Sequence, residues 1–238
     1  MITLLACLLI FIGSLVQYTI GFGLAVIAAP LLFQLSPIYV PGPVVIVALV
    51  ISIFSAVEHR SSISLNGLKA AILGRIPGTI AGGALLYWAD LASLSFWLGL
   101  SVLIAVAISL LPVRLAPTPK RMAIAGFMSG FMGTSSSIGG PPMALLLQHQ
   151  QAGYLRANLS AFFVVSCLLS LLVQVPIGYM SLQHLQASLP LIPAALAGVW
   201  CGRRYGKRLP QRWMRSFSLT LCAISGGSAL LSYFLSAH

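Results

Sequence analysis

Ile20-Gly21-Phe22-Gly23 and Ile138-Gly139-Gly140-Pro141-Pro142 break the two apolar stretches that open the two halves of this chain. A displacement of 118 residues lays Gly21 on Gly139. A break in an apolar stretch frees backbone N–H and C=O groups that hydrocarbon cannot satisfy. It therefore persists only where protein or a wet cavity surrounds it. Matching breaks in two halves of a membrane protein point to a transporter's binding site.

The surroundings of the breaks fit a membrane. The chain has 238 residues, 59% hydrophobic and 6% charged, with a mean hydropathy of +1.01. Apolar runs at 43–57, 68–89, 93–112, 158–175, 187–202 and 216–235 approach, with their flanks, the roughly 20 residues a bilayer core requires. Short connections leave no room for a soluble domain, so 1–238 reads as one all-α integral membrane domain. The net charge of +11 comes from 13 Lys and Arg in short loops and at helix ends. Such placement is a positive-inside bias and offers no folded basic surface for nucleic acid. Cys7, Cys167, Cys201 and Cys222 lie in apolar stretches without CxxC spacing and read as small buried hydrophobes. No basic segment precedes the first apolar run, so a cleaved signal peptide is not expected.

The same displacement lays 44–57 on 162–175, 68–88 on 186–206, and 93–112 on 211–230. It predicts two repeats, 1–118 and 119–238. Their charges are reversed. Arg60, Lys69 and Arg75 precede or open the 68–88 helix, whereas its counterpart ends in Arg203, Arg204, Lys207 and Arg208. Equivalent helices with opposite charged ends cross in opposite directions, which requires an odd number of crossings per half. Residues 2–35 as one helix would reach about 51 Å, against a core of about 30 Å. Segments 2–35 and 122–151 are therefore expected to be re-entrant hairpins of two half-helices, with six full crossings beside them. The loops 58–69, 113–121, 152–157 and 203–215 then share one side, the cytoplasmic one, and both termini lie outside the cytoplasm.

Half-helices starting after Gly23 and at Pro141-Pro142 would aim N-terminal ends into the membrane. Proline suits a first helical turn, and a helix N-terminus is an anion site. Thr134, Ser135, Ser136 and Ser137 add hydroxyls before the second tip; Gln17, Tyr18 and Thr19 add polar groups before the first. The expected substrate site comprises Gln17, Thr19, Gly21, Gly23, Thr134–Ser137, Gly139, Gly140 and Pro141. The alternative reading is close helix packing at the glycines, with hydroxyls bonded to backbone carbonyls. Arg75 either pairs an anion or, the favoured expectation, extends its charge to the cytoplasmic interface. His149 lines the path or closes the hairpin base. Glu58 and Asp90 are the only carboxylates, both in loops, so proton coupling would fall to His149 or to the substrate's own protonation.

GFGLAVIAAPLL, with GFMSGFMGTSSSIGGPPMALLLQHQ opening the second half, resembles the TauE/SafE or sulfite exporter family of membrane transporters. The resemblance spans nearly the whole chain. It implies movement of small sulfur-containing or organic anions such as sulfite, sulfonates or sulfoacetate, in a homodimer of the inner membrane. Family members often have a more glycine-rich first motif, where this chain has Leu24, Ala25 and Val26, so substrate choice does not carry over. The rival readings are a passive anion channel, an accessory membrane protein, and an intramembrane enzyme. HExxH and GxSxG are absent, no cofactor motif is read, and only Ser135–Ser137 with His149 would supply an enzyme's residues.

Overall fold

Long runs of leucine, alanine, isoleucine and valine bounded by Gly, Pro, Ser and Thr dictate helices. The computed structural model describes residues 1–110 and 115–206, and beyond these 219, 220, 223, 224, 226–228 and 230. Among the described residues it is all-helical, without a strand. In chain order the helices are α1 (Ile2–Ile20), α2 (Leu24–Leu35), α3 (Gly42–Glu58), α4 (Leu65–Trp88), α5 (Leu91–Leu110), α6 (Pro119–Ser136), α7 (Gly140–Leu147), α8 (Ala152–Gln174), α9 (Leu182–Ser188) and α10 (Leu191–Tyr205). Local chemistry sets their ends. Thr118 accepts the Arg121 N–H at the start of α6, and Asp90 Oδ1 accepts the Ser93 N–H at the start of α5.

Six described segments are long and apolar enough to cross a bilayer: α1, Pro37–Glu58, α4, α5, α8 and Leu182–Tyr205. Five of them are crossings expected from the sequence. The sixth is a correction. The break falls after Ile20, so the apolar run before it, whose backbone in hydrocarbon has only itself to bond, stays in one helix of 19 residues, and α1 is no half-length arm. Likewise α6 runs 18 residues before its break. Most of the expected crossing 216–235, together with Arg114, Lys207, Arg208, Arg212, Arg215 and Cys222, lies outside the described residues.

After each break the chain doubles back. Gly21, at φ 102°, ends α1 with its N–H on Gln17 O, and Ser137, at φ 66°, ends α6. Leu24 returns to the level of Gly13, and Gly139 to that of Ser129 and Gly133. In each broken segment the short helix after the break thus folds back alongside the longer one before it. One end gathers the close of α3 and α10 and the start of α4 and α8. There Arg203 Nε meets Glu58 Oε1 at 3.1 Å, Tyr18 donates to Glu58 at 3.0 Å, and Asn158 Nδ2 donates to Ser62 O at 3.1 Å. At the other end Ser137 donates to Pro41 O at 3.0 Å and Cys7 to Pro190 O at 3.3 Å. Apart from Arg75, the described Lys and Arg belong to the first end.

The halves are laced together by exchange. Helix α4 of the first half lies along α6 of the second, and α10 of the second lies along α1 of the first, each pair parallel. Gly74 and Gly78 face the backbone of Ala123 and Phe127, while Gly198 and Gly202 face that of Phe11 and Leu15. Small residues let helix backbones approach where no hydrophobic effect drives them together. Close approach through glycine thus builds the α4–α6 and α1–α10 pairs. A methyl on Gly78 would overlap the Phe127 carbonyl, whereas one on Gly153, in α8, meets nothing. Gly78→Ala should accordingly lower stability by about 1–3 kcal/mol. Gly153→Ala should raise it by up to about 1 kcal/mol. Thermal unfolding of the two purified variants in detergent reads the contrast, and equal melting temperatures would refute the close α4–α6 approach.

Candidate functional site

The two restarts meet inside the bundle. Phe22 lies against Gly140, so that a Cβ added there would sit 3.2 Å from Phe22 Cβ. Around this contact is a cavity of about 50 Å³ whose lining includes Gln17, Gly23, Ser137, Gly139 and Gly140 from the two breaks. Helix α8 closes it with Phe163, Ser166, Cys167 and Ser170, and α4 contributes Arg75.

Arg75 is the main correction to the sequence reading. Its charge does not extend to an interface: it is buried at 3% exposure in mid-helix. Nη1 donates to Ser129 Oγ at 2.9 Å; Nη2 donates to Ser166 O and Ser170 Oγ, each at 3.1 Å. The guanidinium carbon stands 5.6 Å from the Phe162 ring centre, a cation–π distance. Small residues at Ser129, Gly130 and Gly133 of α6 leave room for the long side chain to stay inside. Nε has no hydrogen-bond partner among the described residues, and neither has Ser166 Oγ. No carboxylate answers the charge. Glu58 is on Arg203, Asp90 caps α5, and the chain has no other Asp or Glu.

The hydroxyl cluster has another use. Ser135 and Ser136 donate to Phe131 O and Met132 O, back-bonds of α6, and Ser135 also receives Trp97 Nε1 at 2.6 Å. Thr134 Oγ1 pairs with Ser170 Oγ at 2.9 Å, and Thr19 donates to Leu15 O. Of the hydroxyls expected at the site, Thr19 and Thr134–Ser137, only Ser137 lines the central cavity. Gln17 both lines it and caps α2, accepting the Leu24 N–H at 3.2 Å. The α2 start has thus one donor fewer than expected. Pro141 and Pro142 have no N–H to give at the α7 start. Helix ends supply field here more than hydrogen bonds.

Thr19, Pro141 and His149 line a different cavity, a vestibule of about 380 Å³ toward the basic end, with Gln148 and Arg156. Gly21 borders a small side cavity beside Tyr18 and Ser55. Among the described residues Phe22 alone belongs to the linings of both vestibule and central cavity. It sits between two glycines of positive φ, 102° and 131°. His149 is exposed and beyond the far end of α7 from Ser135–Ser137, so the serine–histidine pair is not assembled. The wall contributed by α8 was missed. Its signal was Ser166, Ser170 and Gln174, spaced four apart on one face of an apolar helix.

Ser129 ties the cation to the second break: its Oγ accepts from Arg75 and donates to Gly139 O at 2.5 Å. Ser129→Ala orphans both groups, and each buried loss costs about 1–3 kcal/mol. A melting temperature lower by several degrees is expected from thermal unfolding; one unchanged from wild type would show that the link does not hold the site.

A family model described as "Sulfite exporter TauE/SafE" matches residues 5–229. No curated protein and no solved structure matches the chain.

Proposed function

Because the chain belongs to the sulfite exporter TauE/SafE family, we propose that it is an inner-membrane transporter of a small anion, a sulfur oxyanion or organosulfonate of the sulfite kind, working by alternating access. One observation carries this reading. Arg75 is a buried cation in a chain with no carboxylate to pair with it. An uncompensated charge at membrane depth is costly and marks a functional site. An anion in the central cavity supplies the missing partner. Nε and the Ser166 hydroxyl have hydrogen bonds still to make, and the positive ends of α2 and α7 add favourable field. Ser129 and Ser170 hold the guanidinium in place.

The broken segments are re-entrant in this reading, and 1–118 and 119–238 are inverted repeats around the cavity. The exchange of α4 and α10 between halves supports that arrangement, as does the opposite direction of α1 and α6. The basic end is cytoplasmic and both termini periplasmic, by the positive-inside bias. The passive channel fits less well, because Phe22 stands between vestibule and central cavity where a channel needs a continuous path. Phe22 is then the cytoplasmic gate, hinged on Gly21 and Gly23. Its swing exposes the site to the vestibule, while the opposite face opens in turn.

Flux in proteoliposomes of purified protein, across sulfite, sulfonates, sulfate and small carboxylates, tests the reading. Saturable movement of an anion is expected. Arg75→Gln should reduce it roughly a hundredfold, as losing a buried charge partner worth about 3 kcal/mol implies. Thermal stability should be kept, since a neutral side chain needs no counter-charge. No anion movement by folded wild type, or full flux in Arg75→Gln, would overturn the assignment.

The gate has its own test in Cys167, a thiol lining the central cavity. In a chain with the other cysteines replaced by serine, Phe22→Ala should speed labelling of Cys167 by a small thiol reagent from the basic end about tenfold or more; opening a mostly closed state multiplies its exposed fraction. An unchanged rate from that side removes Phe22 as the barrier.

A further inference from the structure

The central site has one positive charge, and that number constrains what it accepts. Among the described residues Arg75 is the one buried charged side chain. The neighbours facing it add none. Helix α6 brings Ser129, α8 brings Ser166, Ser170 and the thiol of Cys167, α1 brings Gln17, and α7 begins in glycine and proline. Helices α2 and α3 face the cavity with Val26 and Val45. Among the described residues Cys167 is thus the only other titratable group on the cavity wall, and as a thiol it adds no charge.

Three occupancies follow. The empty site leaves one positive charge in a low-dielectric interior. A monoanion beside the guanidinium makes a neutral pair. A dianion leaves one negative charge with no second ionised side chain to meet it, only the partial field of two helix starts, one capped by Gln17 and the other opening in prolines, and its desolvation cost rises with the square of its charge. A volume of about 50 Å³ further favours an anion of few heavy atoms.

Building on the anion site proposed above, we infer that it takes its substrate as a monoanion, and that an oxyanion with two titrating forms crosses as its hydrogen form. For sulfite the species carried is hydrogen sulfite, HSO3⁻. On release into a compartment at higher pH it dissociates as HSO3⁻ → SO3²⁻ + H⁺, so one proton crosses with each substrate. Atoms and charge balance without any protein group taking the proton. This is proton coupling suited to a chain whose two carboxylates are both remote from the cavity: Glu58 at the end of α3 on Arg203, Asp90 between α4 and α5.

The experiment uses the full chain in proteoliposomes, with protein-free vesicles subtracting uncatalysed leak. Sulfite flux at fixed total concentration is measured across the pH range where hydrogen sulfite gives way to the dianion. Methanesulfonate, a monoanion throughout, is run beside it, and sulfate serves as an obligate dianion. Sulfite flux should fall about tenfold for each pH unit beyond the substrate's own pKa, while methanesulfonate changes less than about twofold. A trapped dye should report lumenal acidification as sulfite enters. A second readout needs no flux: methanesulfonate should raise the melting temperature of the detergent-purified protein and sulfate should not, because only a ligand of the native state stabilises it. If sulfate moves or stabilises as well as methanesulfonate, or sulfite flux rises with pH, the inference is overturned while the anion site stands. If no anion moves or stabilises, the site itself falls with it. Should both anions decline together with pH, a titrating protein group is responsible and the inference again fails.

Discussion

Hydrocarbon offers no hydrogen bond, and a chain that breaks its helices in an apolar bundle must find every freed backbone group a partner from within. Much of this structure answers that demand. Gln17 accepts the first N–H of α2, Gln174 Nε2 donates to Thr134 O, Ser137 donates to Pro41 O, and Ser129 donates to Gly139 O. The polar side chains crowded around the breaks are in the first place scaffolding. They hold two helix starts back to back, and the cavity exists because they do.

That priority explains which parts of the site were legible. Gly21, Gly23, Gly139 and Gly140 were readable as breaks because nothing else interrupts an apolar run so sharply, and the helices between loops were readable from length and composition. Hydroxyl roles were not. A serine in an apolar helix serves a ligand or the carbonyl four residues back with equal chemistry, and Ser135 and Ser136 took the carbonyl. Arg75 was ambiguous for a related reason. Two turns from an interface a long side chain can usually reach water, and only the small residues of the neighbouring α6 give it room to stay inside. That packing joins residues 54 apart in sequence, Arg75 and Ser129, and no local pattern announces it.

The exchange of helices between halves sets another boundary on sequence reading. Charge reversal between 68–88 and its counterpart indicated opposite orientations, but not that each helix would lie along the broken segment of the other half. The glycine ladders, Gly74 and Gly78 on one side and Gly198 and Gly202 on the other, recognise a partner's backbone. Backbone has no sequence to match. The two halves thus share their packing surfaces.

The burial of Arg75 has a consequence for the membrane voltage. A charge moved through the full field changes energy by about 2.3 kcal/mol per 100 mV. If the anion neutralises the guanidinium as proposed, the loaded protein presents no net charge at the cavity and its reorientation is indifferent to the potential. The empty protein keeps its positive charge there, and its return alone feels the field. An interior-negative potential then biases the unoccupied site toward the cytoplasm, so the voltage sets where the protein waits for its substrate and leaves the loaded crossing untouched.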